Sequence, residues 1–304
     1  MTLTITSFWL LNPDEESQPK AEDPIGFIEV LNRENRPVIP QRATASDEVD
    51  TSFGENQVSV IELLENRTYF SLLSAEVDFL ALLDQVKALH AEGNPDATYL
   101  FSLLLQQCRD VRRLQPFTAT EFIARTQITD PGLIRFYHLR ETQCRGLLTE
   151  NLWIDEFPST NQLLMLAASG GNSVAMVDLA FKWKRTRRSQ NEVRGLLVQA
   201  ISSLEPLALL RAVDGGAGQS MFSESDTLAL VVLACKESAD CLASSGLFRD
   251  CSVSGGCISG TSLIDHFEMF LGPNAIDTAK GRADVLKTKL LDDGWTETDF
   301  DWDE

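Results

Sequence analysis

Residues 163–181 read LLMLAASGGNSVAMVDLAF, and the fold class turns on this stretch. Apolar side chains recur at helical spacing on both sides of Gly170-Gly171-Asn172. That spacing predicts one helix over about 160–170 and a second over about 172–188. The same signal continues outward in both directions. Val77, Leu80, Leu83, Val86 and Leu89 stripe the run 75–92, which stops at Gly93-Asn94-Pro95. Leu100, Leu103, Leu104 and Cys108 form the inward face of 96–111. A Thr118-x-x-Glu121 capping box opens a helix to Arg125. Asp130-Pro131 opens the next, through Leu133, Phe136, Tyr137 and Leu139 to Cys144-Arg145-Gly146, where Gly146 fits the residue just past a helix end. Further helices are expected over about 189–203, 205–213, 222–235, 260–271 and 274–291. Nothing reads as a sheet. The expected class is all-α, with short connections that favour antiparallel helix pairs stacked on one another.

Charge divides the chain unevenly. Of the 304 residues, 1–57 carry 11 acidic and 4 basic side chains, and 291–304 carry 7 acidic and none basic. Each end therefore holds −7 of the total −19, leaving a body that is only mildly acidic. Such a balance opposes binding to nucleic acid or anionic lipid by general electrostatics. No apolar run reaches the roughly 20 residues that span a bilayer. The opening MTLTITSFWLL lacks the basic segment and cleavage site of a signal peptide. Residues 1–57 read as an acidic arm broken by Pro13, Pro19, Pro24, Pro37 and Pro40, with one apolar patch from Phe27 to Leu31. A helical, repeat-like domain is expected over 58–234. Residues 235–304 hold a cysteine-rich loop, two terminal helices and an acidic tail.

Six cysteines are the chain's most distinctive composition. Four of them, Cys235, Cys241, Cys251 and Cys257, crowd a Ser/Gly-rich stretch, while Cys108 and Cys144 sit near the ends of two predicted neighbouring helices. Disulfides Cys108–Cys144, Cys235–Cys241 and Cys251–Cys257 are expected, because a small polar loop needs staples. Within the loop, Cys235–Cys251 with Cys241–Cys257 is the alternative. Zinc is a second reading, although structural zinc prefers Cys-x2–4-Cys and both pairs here are x5. Free thiols packed as small hydrophobes are a third.

The pattern Ala167-Ala168-x-Gly170-x3-Val174-Ala175-x3-Leu179-Ala180 resembles the Sel-like branch of the tetratricopeptide-type helical repeats. In that family small residues let two antiparallel helices approach closely, and Gly170-Gly171-Asn172 takes the place of the turn between them. Phe136–Gly146 looks like the preceding half-unit, and 193–213 like a degenerate second one. With the cysteine layout, the chain resembles exported six-cysteine helical-repeat proteins of proteobacteria. The resemblance covers about 20 residues closely, implies a binding scaffold and transfers no catalytic residue.

Candidate chemistry is sparse. His90, His138 and His266 have no His or Cys three or four residues on. Asp214-Gly-Gly-Ala-Gly-Gln-Ser220 lacks the Lys-Ser/Thr of a phosphate loop and reads as a helix end and connection. Lys182, Lys184, Arg185, Arg187 and Arg188 form the one basic cluster. It is either a patch for an acidic partner or the cationic last turn of a helix, favoured by the macrodipole. Asp292-Asp293 and Asp301-x-Asp303-Glu304 lie among Trp295, Phe300 and Trp302 and read as an aromatic-anchored acidic tail rather than a buried acid/base pair. No cofactor motif is present. The expected function is a non-catalytic, protein-binding helical scaffold, periplasmic or secreted if the disulfides form and cytoplasmic otherwise. Two other classes stand beside it. An acidic inhibitor or immunity-type protein would gather carboxylates on one folded face, and an Asp/Glu-based cell-wall or glycan hydrolase would need a deep polar pocket.

Overall fold

A computed structural model describes residues 60–65, 77–113, 118–129, 131–149, 157–186, 188–214, 221–237, 241, 263–292 and 296–302. The acidic arm, including Phe27–Leu31, lies outside the described residues, as do Arg187, Cys251 and Cys257. Among the described residues the protein is helical with no strand. The helices are α1 (Val60–Glu65), α2 (Phe79–Ala91), α3 (Pro95–Arg113), α4 (Ala119–Thr126), α5 (Pro131–Thr149) and α6 (Thr160–Ser169). They continue as α7 (Ser173–Arg185), α8 (Gln190–Ser202), α9 (Pro206–Asp214), α10 (Glu224–Glu237), α11 (Leu263–Leu271) and α12 (Pro273–Leu291), followed by a 3-10 turn, Glu297–Asp299.

Local signals start most of these helices. Thr118 and Glu121 close the capping box at α4, and Ser159 with Gln162 and Ser189 with Glu192 do the same at α6 and α8. Each box satisfies two backbone donors that a helix start otherwise leaves open, a contribution of about 1 kcal/mol per cap. One stop signal is overruled. Gly146 does not end α5, which runs on to Thr149. It sits instead where α5 crosses the start of α2, and a Cβ added there would lie 2.8 Å from both Leu80 Cβ and Asp78 Oδ2. The glycine admits a neighbour; it does not reverse the chain.

Three helix hairpins, α2/α3, α6/α7 and α8/α9, turn in nearly the same way. The capping residues Glu92, Gly170 and Ser203 have φ/ψ of −77/−3°, −76/−4° and −67/−17°. Gly93, Gly171 and Leu204 follow at φ +83°, +99° and +53°. A left-handed residue brings the next N–H back to the last helical turn: Asn94 N donates to Leu89 O at 3.1 Å and Asn172 N to Ala167 O at 3.0 Å. In the third turn Glu205 N donates to Ser203 Oγ at 3.2 Å instead. Leu204 adopts the left-handed conformation without being glycine, at a cost on the order of 1 kcal/mol. Its half-buried side chain packs on the core, which offsets that strain.

Four residues beyond each left-handed position stands a fully buried alanine: Ala97, Ala175 and Ala208. No side chain beyond Cβ separates the helices there, so their backbones approach closely. The buried cluster is continuous, from Val60 through Leu104, Val177, Leu209 and Val232 to Leu286 and Phe300. Along it α3 packs on α6, α7 on α8, α9 on α10, and α10 on α12. No helix of the described residues is long and apolar enough to cross a membrane.

Two disulfides reinforce the stack. Cys108 of α3 and Cys144 of α5, both fully buried, are bridged, and Cys235 of α10 is bridged to Cys241. The second bridge excludes the alternative pairing of Cys235 with Cys251. The third expected pair, Cys251–Cys257, lies outside the described residues. Loop-closure entropy gives roughly 4 kcal/mol for the bridge spanning 36 residues and roughly 2 kcal/mol for the one spanning 6. The α3–α5 staple is therefore the stronger constraint.

Two substitutions test this packing. Ala175→Leu should overfill the α6/α7 contact and cost about 1–3 kcal/mol; an unchanged melting temperature would place that face in solvent. Gly146→Ala should also lower the melting temperature. Helix propensity alone favours Ala by about 1 kcal/mol, so a rise would refute the contact with Leu80.

Candidate functional site

The turn ends of the three hairpins are bonded to one another. Asn172 Oδ1 accepts from Ala175 N at 2.6 Å and caps α7, while its Nδ2 donates to Asp96 Oδ1 at 2.6 Å in the first turn of α3. Asn94 caps α3 by accepting from Asp96 N and Ala97 N at 2.9 and 3.0 Å. The next link is Ser173 Oγ donating to Glu205 Oε2 at the start of α9. Further along the helices, Asp178 of α7 accepts from Tyr99 Oη at 2.8 Å and from Arg211 Nε of α9 at 2.6 Å. Three helices thus meet at one half-buried carboxylate. No sequence motif marks Tyr99, Asp178 or Arg211. Their only signal is position, since Asp178 and Arg211 follow their left-handed turn residues by the same seven residues.

Four members of the basic cluster, Lys182, Lys184, Arg185 and Arg188, lie among the described residues. Lys182, Lys184 and Arg185 occupy the last turn of α7, where the helix dipole favours positive charge. Arg185 is exposed and Trp183 is buried, only 9% exposed. Arg188 stacks over the Trp183 ring at 5.4 Å and pairs with Glu192 at 3.8 Å. A surface pair of that kind contributes only a few tenths of a kcal/mol, so the indole contact does more to fix Arg188. The result is a cationic corner between α7 and α8.

A second corner lies where the C-terminal segment docks. Phe300 is buried and Trp302 half-buried, and with Phe222 their ring centroids form a triangle of 5.0, 4.9 and 5.1 Å. The Arg194 guanidinium of α8 covers the Trp302 ring at 5.4 Å. Asp226, 1% exposed at the start of α10, accepts from Arg282 Nε at 2.8 Å and from Asp301 N at 3.0 Å. Ser223 N donates to Asp301 O at 2.7 Å and Arg282 Nη2 to Asp299 O at 3.2 Å. The anchoring of the acidic tail by Phe300 and Trp302 was legible in the sequence, while Trp295 lies outside the described residues. Its partners Arg194, Asp226 and Arg282 were not, because single charges at helical positions carry no motif.

Elsewhere the titratable residues do structural work. His90 Nδ1 shares a hydrogen bond with Thr98 Oγ1 at 2.8 Å across the α2/α3 turn, and His138 is exposed. Burial against Phe122 and Phe136 raises the Tyr137 phenol above its ordinary value. The Thr118 backbone N–H holds the Glu121 carboxyl below its own. Among the described residues no group of three His, Cys, Asp or Glu side chains is placed to hold a metal ion.

Comparison with known proteins gives no match: no family model, no curated protein and no solved structure is similar to this chain. The functional reading therefore rests on these two corners and the bonded turn edge.

The tail carries a pH signature. Lys289 Nζ bonds Asp299 Oδ1 at 2.6 Å, and this contact, with the Thr296 N–H at 2.6 Å, lowers the Asp299 pKa from its ordinary 3.8. A carboxyl whose folded pKa is depressed stabilises the fold above its unfolded pKa, and loses that contribution as pH falls through the folded one. The Asp299 carboxyl resonance should titrate with a midpoint below 3.8; a midpoint at or above that value would show that the contact with Lys289 does not persist in solution.

Proposed function

We propose that the protein is a non-catalytic, extracytoplasmic scaffold of stacked helix pairs that binds an acidic region of another protein. The observation that carries this reading is the bonded edge of equivalent turns. Helix pairs held in register by Asp96–Asn172 and Ser173–Glu205 make a continuous surface from short units, and such stacks serve as docking surfaces.

A repeat origin is part of the proposal. Gly171 and Leu204, Asn172 and Glu205, Ala175 and Ala208, and Asp178 and Arg211 are all 33 residues apart. A spacing of that size is typical of helix-turn-helix units that stack into solenoids. The α8/α9 hairpin is then the second unit, with Leu204 in place of the glycine. The α2/α3 hairpin, 78 residues before α6/α7 by its left-handed residue, is a further unit separated by α4 and α5.

Two further features support the reading. The cationic corner of Lys182, Lys184, Arg185 and Arg188 is concentrated positive charge on a chain of net −19, which suits a carboxylate-bearing partner. The disulfides Cys108–Cys144 and Cys235–Cys241 are compatible with an oxidising compartment, periplasmic or secreted.

Affinity capture from an extract of the source cells checks this, with wild type and Lys184→Glu/Arg185→Glu as parallel baits. The expected outcome is one partner retained by wild type and lost by the charge-reversed bait. Turnover of peptidoglycan or a model glycoside, abolished by a single Asp or Glu substitution, would replace the scaffold with a hydrolase. Six free thiols in the unfolded, unreduced chain would remove the extracytoplasmic location.

A further inference from the structure

The C-terminal segment is bound the way a peptide ligand is bound. Phe300 is extended, with φ −103° and ψ 144°. Neighbouring side chains therefore alternate: Phe300 and Trp302 face the body, and the Asp301 side chain between them is exposed. The body meets the segment's backbone at three groups. Arg282 donates to Asp299 O, Asp226 accepts from Asp301 N, and Ser223 N donates to Asp301 O. Backbone bonds to an extended chain, with recesses for alternate side chains, are the physics of peptide recognition by strand-like docking. They hold any sequence extended, while Phe222 and the Arg194 guanidinium select aromatic rings at the two inward positions. Arg194, Arg282 and Lys289 place three cations around the segment.

We propose that the slot formed by Phe222 and Ser223 just before α10, Asp226 of α10, Arg194 of α8 and Arg282 of α12 recognises an extended acidic Phe-x-Trp segment of a partner protein, and that the chain's own residues 299–302 occupy it as a resident competitor. The charge of the slot and the resident segment together define the ligand. Aromatic side chains stand two residues apart, with a carboxylate at the exposed position between them and others just outside the aromatic pair. A segment tethered in cis acts at high effective concentration, so the free protein is closed to weak ligands and opens only when its own Trp302 is displaced. The proposal deepens the scaffold reading by naming the partner's chemistry at a site separate from the Lys184/Arg185 corner.

The probe is a fluorescein-labelled peptide with the sequence of residues 296–304, Thr-Glu-Thr-Asp-Phe-Asp-Trp-Asp-Glu, titrated by anisotropy into the full chain. Trp302→Ala loosens the resident segment, and this variant should bind the peptide at least about tenfold more tightly than wild type. The same peptide with its Trp replaced by Ala should not compete. Adding Arg194→Glu to Trp302→Ala should abolish binding while helical circular dichroism is kept. Should Trp302→Ala fail to fold, Trp302→Leu keeps the apolar bulk and serves in its place. Equal affinity in wild type and variant, or no binding to a folded variant, overturns the proposal. Concentration-dependent dimerisation of wild type that the peptide dissolves would overturn the partner assignment and make a second copy the occupant. A failure here leaves the Lys184→Glu/Arg185→Glu capture result standing, so the two readings fail separately.

Discussion

One buried amide ties the first hairpin to the second. Asn172 is 3% exposed, and its side chain acts in two directions at once: its oxygen caps α7 and its nitrogen holds Asp96 at the start of α3. A buried polar group without partners would cost about 1–3 kcal/mol, so this geometry is enforced from both sides. It fixes the start of α7 to the start of α3 while α6 packs on α3, and the buried alanines Ala97 and Ala175 let each hairpin's helices close to short range. Ser173 carries the same edge on to Glu205 and α9. The rest of the stack is built outward from this register.

The polar edge and the apolar core are not independent. Asp178 holds Tyr99 and Arg211 about one to two turns further along the same helices, so α3, α7 and α9 are pinned at two levels. Rotation of any one helix would break both sets of bonds and expose alanines that have no bulk to fill the gap. The Cys108–Cys144 bridge adds a third fixed point by joining α3 to α5. Around Gly146 the close crossing of α5 and α2 needs no side chain at all.

The C-terminal end follows a different logic. Its residues hold on through aromatic rings and backbone groups rather than through a helix seam. Phe300 enters the core, Trp302 lies between Phe222 and Arg194, and Asp226 bonds the backbone of the segment it receives. The segment is thus held by two rings, three backbone bonds and the Lys289–Asp299 pair.

Helix class, most helix limits, the capping box at Thr118 and the break at Gly170-Gly171-Asn172 were all written in the sequence. Each depends on neighbours within about four residues, the range of the helical hydrogen bond. The cysteines likewise announced two bridges that the fold forms. Gly146 shows where that reach ends: its local pattern spells a stop, yet Leu80, far away in sequence, decides that it is a crossing point. Leu204 shows the converse, since no local rule asks a leucine to be left-handed until its side chain finds the core. The sequence alone thus determined a helical chain with turns and staples at given places. Tertiary structure alone decided that Asn172 meets Asp96, Asp178 meets Arg211 and Arg194 meets Trp302, because such pairs exist only when packing brings distant helices within hydrogen-bond or ring-contact range.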